Sequence, residues 1–340
     1  MKMNSKALLA ATGIAAFAFS PAFANEGPGA QTKAGVLIGA SAGVPPPGIY
    51  MFNQVFTYQS NLVGPGTGGN PHIGLHANVD VQGFLFVPGW TFLGGTYDAV
   101  IAQPWLDVSV GSGTTGLGSA QFSGLFNTYI APVELSWKLG NTGFAFKTGL
   151  GIYAPTGTET GAFKLGNVGA PYWTFQPEAI LSYLGNGWNL TAAVYDEINT
   201  VNNNTHYTSG DILHADFTAT KTFGKWTLGP VAYYYGQVTN DSCPVSCVLA
   251  YGSPSANPTL SHSQSSSVWA VGGLVAYDFG PASFQVWATQ EVSAKASNAA
   301  AAAAASGGDP STVSQGTTVF ATLSYRIWAP DEPVKPVFHK

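Results

Sequence analysis

Apolar and polar residues alternate with a period of two along most of this chain. Within residues 129–139, Leu135 and Trp137 fall on one face, whereas Glu134 and Lys138 fall on the other. A β-strand places every second side chain on the same side, whereas a helix would distribute these charges around its circumference. The pattern therefore predicts strands with one apolar face, and the same alternation recurs at Leu75–Gln82 and at Thr318–Ile327.

Twelve segments of this kind follow one another along the chain. They lie at about 48–60, 72–88, 99–111, 122–139, 142–153, 173–184, 188–195, 212–222, 226–237, 268–278, 282–290 and 317–328. Strands of this length and number predict an all-β fold.

The connections between these strands alternate in length. The short turns are Gly140-Asn141, Gly185-Asn186-Gly187, Phe223-Gly224-Lys225 and Phe279-Gly280-Pro281. The long connections are 154–172, 196–211, 238–267 and 291–316. Short periplasmic turns that alternate with long extracellular loops are typical of outer-membrane barrels. We therefore predict a transmembrane antiparallel β-barrel of about twelve strands, residues 48–328, with both ends in the periplasm.

Aromatic residues at the strand ends fit this prediction. Predicted strands end in an aromatic residue beside the short turns at Trp137, Tyr183, Trp188, Trp226 and Trp328, and beside the long loops at Tyr153, Trp173, Tyr235 and Trp269. Two bands of rings at fixed depth are expected where a protein crosses the two membrane–water interfaces.

Composition excludes the common alternatives to a membrane barrel. Only 9% of the residues are charged although 45% are hydrophobic, whereas soluble domains carry about 25% charged residues. After residue 24, no stretch reaches the ~18 apolar residues that a membrane-spanning helix requires. A membrane protein that lacks such helices is expected to cross with a closed barrel.

The N-terminus predicts export. Lys2 and Lys6 precede an apolar run, and Ala22-Phe23-Ala24 matches a signal-peptidase site. Residues 1–24 are thus predicted to be a signal peptide cleaved at about Ala24, and the mature protein is expected in the outer membrane of a Gram-negative bacterium. Residues 25–47 could plug the barrel or remain in the periplasm, and residues 329–340 are predicted to be a periplasmic tail.

Charge and cysteine content narrow the possible ligands. Cleavage of the signal peptide removes Lys2 and Lys6 and leaves 10 of the 12 basic residues against 17 acidic ones. This negative net charge argues against nucleic-acid binding, which requires a basic surface. Cys243 and Cys247 could form a disulfide in an oxidising compartment; two free thiols are the alternative, and a metal site would require further ligands. No cofactor or metal is expected.

If the apolar face contacts lipid, the alternate residues line the lumen. The predicted lumen residues are Asp80, Phe84, Phe86, Glu134, Lys138, Lys147, Glu178, Tyr195, His214, Asp216, Tyr233, Phe320 and Arg326. Their charges could form a structural ion-pair network or select solutes. A lumen lined with both aromatic rings and polar groups suits the passage of an uncharged, ring-bearing solute. An open aqueous pore would be expected to have a mostly polar lining.

Several stretches of the chain together match one family: Pro45–Tyr50 with Asn53, Tyr153–Gly157, Asn167–Trp173 with Pro177, Asn199, Asn202, Thr205–Asp211 and His214. In these stretches the chain resembles the outer-membrane proteins of the meta-pathway of phenol degradation, a family that is distantly similar to fatty-acid and toluene channels. The resemblance implies passage of small hydrophobic compounds, aromatic ones included, across the outer membrane.

The expected function is therefore passive uptake of such compounds, without enzymatic activity. The alternatives are a structural or adhesive barrel and, less favoured, a hydrolase that uses His206, Ser209, Asp211 or His214; no catalytic spacing is recognisable among these four. The expected partners are outer-membrane lipids, the solute and the barrel-assembly machinery.

Overall fold

The computed structural model describes residues 30–64, 74–111, 120–159, 167–242, 264–298 and 313–330. They contain fourteen strands: β1 (Gly48–Val63), β2 (Gly74–Val87), β3 (Thr91–Phe92), β4 (Gly95–Val110), β5 (Ala120–Leu125), β6 (Thr128–Lys138), β7 (Phe144–Ala154), β8 (Thr174–Tyr183), β9 (Trp188–Asn199), β10 (Ile212–Phe223), β11 (Trp226–Gln237), β12 (Gln264–Asp278), β13 (Ala282–Asn298) and β14 (Val313–Trp328). Across these described ranges, no helix is long and apolar enough to cross a membrane.

The strands close into a barrel. Each long strand pairs antiparallel with its neighbours, and β1 pairs with both β2 and β14. The two-residue β3 only forms a hairpin with β4. Strand β5 pairs with the second half of β4, residues 105–110, and β6 pairs with its first half. Strands β5 and β6 therefore count as one of the twelve strands of the barrel wall. The predicted twelve-stranded antiparallel barrel is confirmed.

The two ends of the barrel differ as predicted. Short turns join the strands at one end, which we call the turn end, and the longer connections lie at the other, the loop end. At one short turn, Asn186 and Gly187 have φ values of 51° and 79°. Two consecutive left-handed residues match the right-handed twist of a hairpin, which explains the Asn-Gly pair.

Strands β7–β13, which we call the C-terminal wall, direct most of their polar side chains inward, although the buried residues of β12 are mainly apolar. In β8, Gln176, Glu178 and Ser182 are buried, whereas Phe175 and Leu181 are exposed on the outer surface. A lipid-facing surface has to be apolar because hydrocarbon offers polar groups no hydrogen bonds. This wall therefore has the predicted polarity.

Strands β1, β2 and β4, which we call the N-terminal wall, have the reverse polarity. In β2, Val79 and Val81 are buried inside the barrel, whereas Asn78 and Gln82 point outward. The predicted orientation of β2 is therefore wrong. The strand was recognised correctly, but its alternation alone does not specify which face is outside.

Two local features also differ from the sequence prediction. The pairing of β6 with β7 shifts register between Ile130 and Val133, so the apolar residues on the two sides of this bulge face opposite ways. A bulge adds one residue to a strand and so reverses the alternation beyond it. In addition, Tyr153 and Tyr235 are buried inside the barrel and do not belong to the outer aromatic band.

Three predictions lie outside the described residues. They are the signal peptide at residues 1–24, the state of Cys243 and Cys247, and the tail from residue 331 onward.

Candidate functional site

The lumen is occupied by residues 30–47, which we call the plug. Gln31 contacts Glu197 near the loop end of β9, and Ala42 contacts Ser182 near the turn end of β8. The plug thus descends along the barrel axis and then continues into β1. Of the two alternatives left open for this segment, the structure places the described residues inside the barrel.

At the loop end, Glu197 binds the main chain of the plug. Its carboxylate accepts hydrogen bonds from the backbone N–H groups of Gln31 and Thr32, both at 2.7 Å. His214 Nε2 lies 3.2 Å from the same carboxylate, and its ring stacks on Tyr195 at 4.7 Å. Hydrogen bonds to a carboxylate are among the stronger ones in proteins, so Glu197 is a firm anchor.

Lower in the lumen, Lys33 forms a buried ion pair. Its Nζ lies 3.1 Å from Glu291 Oε1 and 4.1 Å from the centre of the Tyr58 ring. Glu291 also accepts hydrogen bonds from the hydroxyls of Tyr58 and Tyr233, at 2.8 and 2.7 Å, and from the N–H of Gly316 at 2.7 Å. A buried ion pair is tolerated where the remaining polar atoms are satisfied, as these are.

A tight turn in the plug binds Asp216. The backbone N–H groups of Gly35 and Leu37 donate to its two oxygens at 2.9 and 2.8 Å. Gly35 has φ +92°, and a Cβ there would lie 2.7 Å from the Tyr233 ring. Trp287 closes the turn by donating from Nε1 to the Gly35 carbonyl at 3.0 Å. Glycine is therefore required at this position for both conformation and space.

A cavity of about 220 Å³ lies between the plug and the C-terminal wall at the turn end. Gly39 and Ser41 of the plug face Asn189, Thr220 and Gln285 of the wall across it. Asn189 also donates to the carbonyls of Gly39 and Ala40. The plug is thus less tightly packed at this end than around Lys33.

A second charged cluster lies in the wall, away from the plug contacts described above. Lys147 Nζ lies 3.0 Å from Asp98 Oδ1 and 2.8 Å from Glu134 Oε2, and all three residues are buried. They join β4, β6 and β7 near the turn end. In the described ranges, no group of three or more His, Cys, Asp or Glu residues is arranged to hold a metal ion.

Most of the predicted lumen residues do lie on the inner side of the wall. These are Glu134, Lys138, Lys147, Glu178, Tyr195, His214, Asp216, Tyr233, Phe320 and Arg326. The structure brings Tyr195, His214, Asp216 and Tyr233 together around the plug, and Lys147 together with Glu134. A role for any of them in solute contact stays a prediction.

Three predicted lumen residues point the other way. Asp80, Phe84 and Phe86 lie on the outer face of β2, and the two phenylalanine side chains are 42% and 39% exposed. The prediction was wrong because β2 belongs to the reversed N-terminal wall. Phe84 and Phe86 contribute to the outer apolar surface near the turn end.

Sequence reasoning missed the residues that hold the plug most directly. Glu197 and Glu291 lie just beyond the predicted ends of β9 and β13, although each continues the inward alternation of its strand, which could have revealed them. No comparable sequence signal marks Lys33.

The four candidate hydrolase residues form no catalytic arrangement in the described part of the chain. His214 lies inside the barrel beside Glu197, and the Ser209 hydroxyl has no hydrogen-bond partner among the described residues. His206 lies on a loop, where its side chain is exposed and its own backbone has a φ of 60°.

The family model described as "Putative MetA-pathway of phenol degradation" matches residues 59–306, well over half of the chain. The chain belongs to this family. No curated protein matches the sequence. Among solved structures, an outer membrane channel from Pseudomonas putida F1 is 12% identical, with 82% of this chain and 96% of that chain covered and a TM-score of 0.61.

A weaker structural similarity is to the β domain of the Bordetella autotransporter BrkA. It is 14% identical, covers 82% of this chain and 100% of that chain, and has a TM-score of 0.42.

The similarity to the Pseudomonas channel shows a shared fold for this member of the phenol-degradation family: an antiparallel barrel of the outer-membrane type.

Proposed function

We propose that this protein is an outer-membrane channel for passive uptake of small, uncharged hydrophobic solutes, aromatic ones most readily. The observation that carries the proposal is the ring-lined interior around the plug. Trp287 stacks on Phe320 with ring centres 4.8 Å apart, and Phe56 lies 4.9 Å from Phe320. Aromatic walls bind an apolar ring by offset or edge contacts that are individually weak, which permits release.

The apolar inner face of the N-terminal wall extends this surface. Phe52, Phe56, Val79, Val81 and Leu106 are all buried on the inner side. An uncharged ring could pass along this side, while the polar groups of the C-terminal wall remain bonded to the plug. Family membership supports a role in the handling of aromatic compounds.

Passage along this route requires the plug to move, because the plug fills the lumen beside it. The ion pair between Lys33 and Glu291 and the bonds to Asp216 and Glu197 are the contacts that would have to break or stretch. Solute flow would follow the concentration gradient, since the sequence carries no nucleotide-binding motif.

The test is uptake of a labelled aromatic solute, such as toluene, by cells that lack the gene and carry plasmid copies. Phe56→Ala, on the inner face, should alter uptake at low solute concentration. Phe84→Ala, on the outer face of the neighbouring strand, is the matched control and should leave uptake unchanged. Equal uptake with and without the protein would refute the proposal.

A structural or adhesive barrel without transport is the second candidate, and the tightly held plug favours it. Conductance in planar bilayers separates the two. A barrel that passes neither ions nor toluene, before or after Lys33→Met, would support the structural role. Lipid and peptide hydrolysis by the purified protein tests the less favoured enzymatic alternative.

A further inference from the structure

The outer face of the N-terminal wall carries polar residues at membrane depth. Three cross-strand rows can be followed from β1 through β2 to β4. Counted from the turn end, they are Asn53, Gln82 and Gln103; then Val55, Asp80 and Trp105; then Thr57, Asn78 and Asp107. We call these nine residues the polar face.

The polar face lies within the part of the barrel expected to be in hydrocarbon. Gln82 is five residues, and Asp80 seven residues, from the turn end of β2 at Val87. At ~3.4 Å per residue and a tilt of roughly 40°, these positions are about 13 and 18 Å above that end, inside an apolar band ~25 Å tall.

Several groups of the polar face have spare hydrogen-bonding capacity. The amides of Asn78 and Gln82 make no hydrogen bond to the described part of the chain. Asp80 accepts from Asn53 Nδ2 through Oδ1 at 2.6 Å. Unpaired amides in contact with lipid are unfavourable, so another molecule with polar groups is expected to cover them.

The polar face also surrounds a groove of about 430 Å³. Trp105, which is 44% exposed, forms part of its lining together with Val55, Asp80 and Val319. An exposed tryptophan beside a groove, rimmed by hydrogen-bonding groups, is typical of the centre of a protein–protein interface.

We propose that the polar face is the interface with a second copy of this chain. Every copy crosses the membrane in the same orientation, so a two-fold axis must lie along the membrane normal and bring residues of equal height together. The Gln82 amide both donates and accepts, so it can pair with the same residue of the second copy across such an axis, whereas the Gln103 amide is already bonded to Phe126 and Thr128 of its own chain.

The outer faces of β7–β12 favour a two-fold pair over a ring. A cyclic trimer needs two different contact patches on each subunit. On the described outer faces of β7–β12, polar residues between the two ends are isolated ones such as Thr148 on β7 and Asp196 on β9. One self-complementary patch is what an isologous dimer requires.

Cysteine cross-linking in native membranes tests the proposal. In a background that carries Cys243→Ser and Cys247→Ser, Gln82→Cys should be converted largely into a covalent dimer by a short bis-maleimide. Val194→Cys is the matched control, because it is exposed at a similar height on β9 of the opposite wall. It should remain monomeric.

Single-molecule photobleaching in liposomes provides a second measurement. The wild type should bleach in two steps, and the double variant Asn78→Leu, Gln82→Leu should lose most of the two-step population while remaining folded. One-step bleaching of the wild type would overturn the proposal. So would equal cross-linking at Gln82→Cys and Val194→Cys, or a cross-linked product in cells whose mass is not that of two copies.

Discussion

The N-terminal and C-terminal walls of this barrel distribute polarity in opposite ways. On β9, Leu190 and Val194 point outward, whereas Glu197 points inward. On β2, Val79 and Val81 point inward, whereas Asn78 and Gln82 point outward. Both strands alternate equally well in sequence. Alternation therefore identifies a transmembrane strand, but the surroundings of the strand decide which of its faces is inside.

The plug explains the polar interior of the C-terminal wall. Residues 30–47 have few hydrogen-bond partners within their own segment, so their main-chain groups need partners from the barrel. Glu197, Asp216, Thr218 and Ser182 accept from plug N–H groups at 2.7–2.9 Å. A buried N–H without a partner is costly, which makes these inward polar groups necessary. The N-terminal wall instead contributes mainly apolar packing.

The largest effect should come from the ion pair that joins the plug to the C-terminal wall. Lys33→Met leaves the Glu291 carboxylate buried without its cation, which should cost about 3–5 kcal/mol. The cost should appear as a lower free energy of unfolding in lipid vesicles, as a higher open probability in planar bilayers, or as both.

A compensating variant sharpens this prediction. Glu291→Gln added to Lys33→Met removes the unpaired charge. The amide oxygen can replace Oε2 as the acceptor for Tyr58 and Gly316, and the amide NH2 can donate to the Tyr233 hydroxyl. Much of the lost stability should return. If the double variant is as unstable as Lys33→Met, packing rather than charge holds the plug at this point.

A smaller difference in the free energy of unfolding is expected between arginine substitutions on the outer faces of the two walls. Val194→Arg places a charge on the apolar face of β9 and should cost about 2–4 kcal/mol. Gln82→Arg replaces a side chain that is already polar and lies on the same face as the Asp80 carboxylate, so it should cost less than Val194→Arg. Urea titrations of both variants in vesicles measure the difference.

Val194→Leu is the control for the change in side-chain size. Equal costs at the two positions would mean that the outer faces do not differ as their residues indicate. A larger cost at Gln82 would reverse the comparison between the walls.

The smallest effect concerns a loop above the C-terminal wall. Burial raises the pKa of Asp241 to about 7, although hydrogen bonds from Gly210, Tyr207 and Gln237 act in the opposite direction. Because the folded-state pKa lies above the ordinary value near 3.8, the associated stabilisation is complete below that value and is lost as the pH rises through about 7.

Amide hydrogen exchange at Thr208 and Ser242, corrected for intrinsic rates, measures this loop. The two residues form an isolated β-bridge, which should open more often at pH 8 than at pH 5. Asp241→Asn should remove the pH dependence. A wild-type bridge equally protected at both pH values would contradict the assignment to Asp241.

The sequence was sufficient to predict the barrel, because twelve strands and alternating loop lengths are local signals. It was not sufficient for the interior. The direction of β2 depends on what covers its two faces, and the bulge in β6 reverses an alternation that otherwise continues unbroken. The plug residues that contact Glu197, Asp216 and Glu291 lie about 165 to 258 residues away from them in the chain. No periodicity reports such distant contacts.

The path of the plug has a consequence for the order in which the molecule assembles. Residues 30–47 run from the loop end to the turn end and lead directly into β1, whose two edges are bonded to β2 and β14. After β14 has joined β1, hydrogen bonds enclose the lumen on every side, and the segment can enter or leave only lengthwise. A ring that closes around a segment already in place avoids that slow threading. If the pairing of β1 with β14 is the last to form, it is the step that commits the chain to its plugged form.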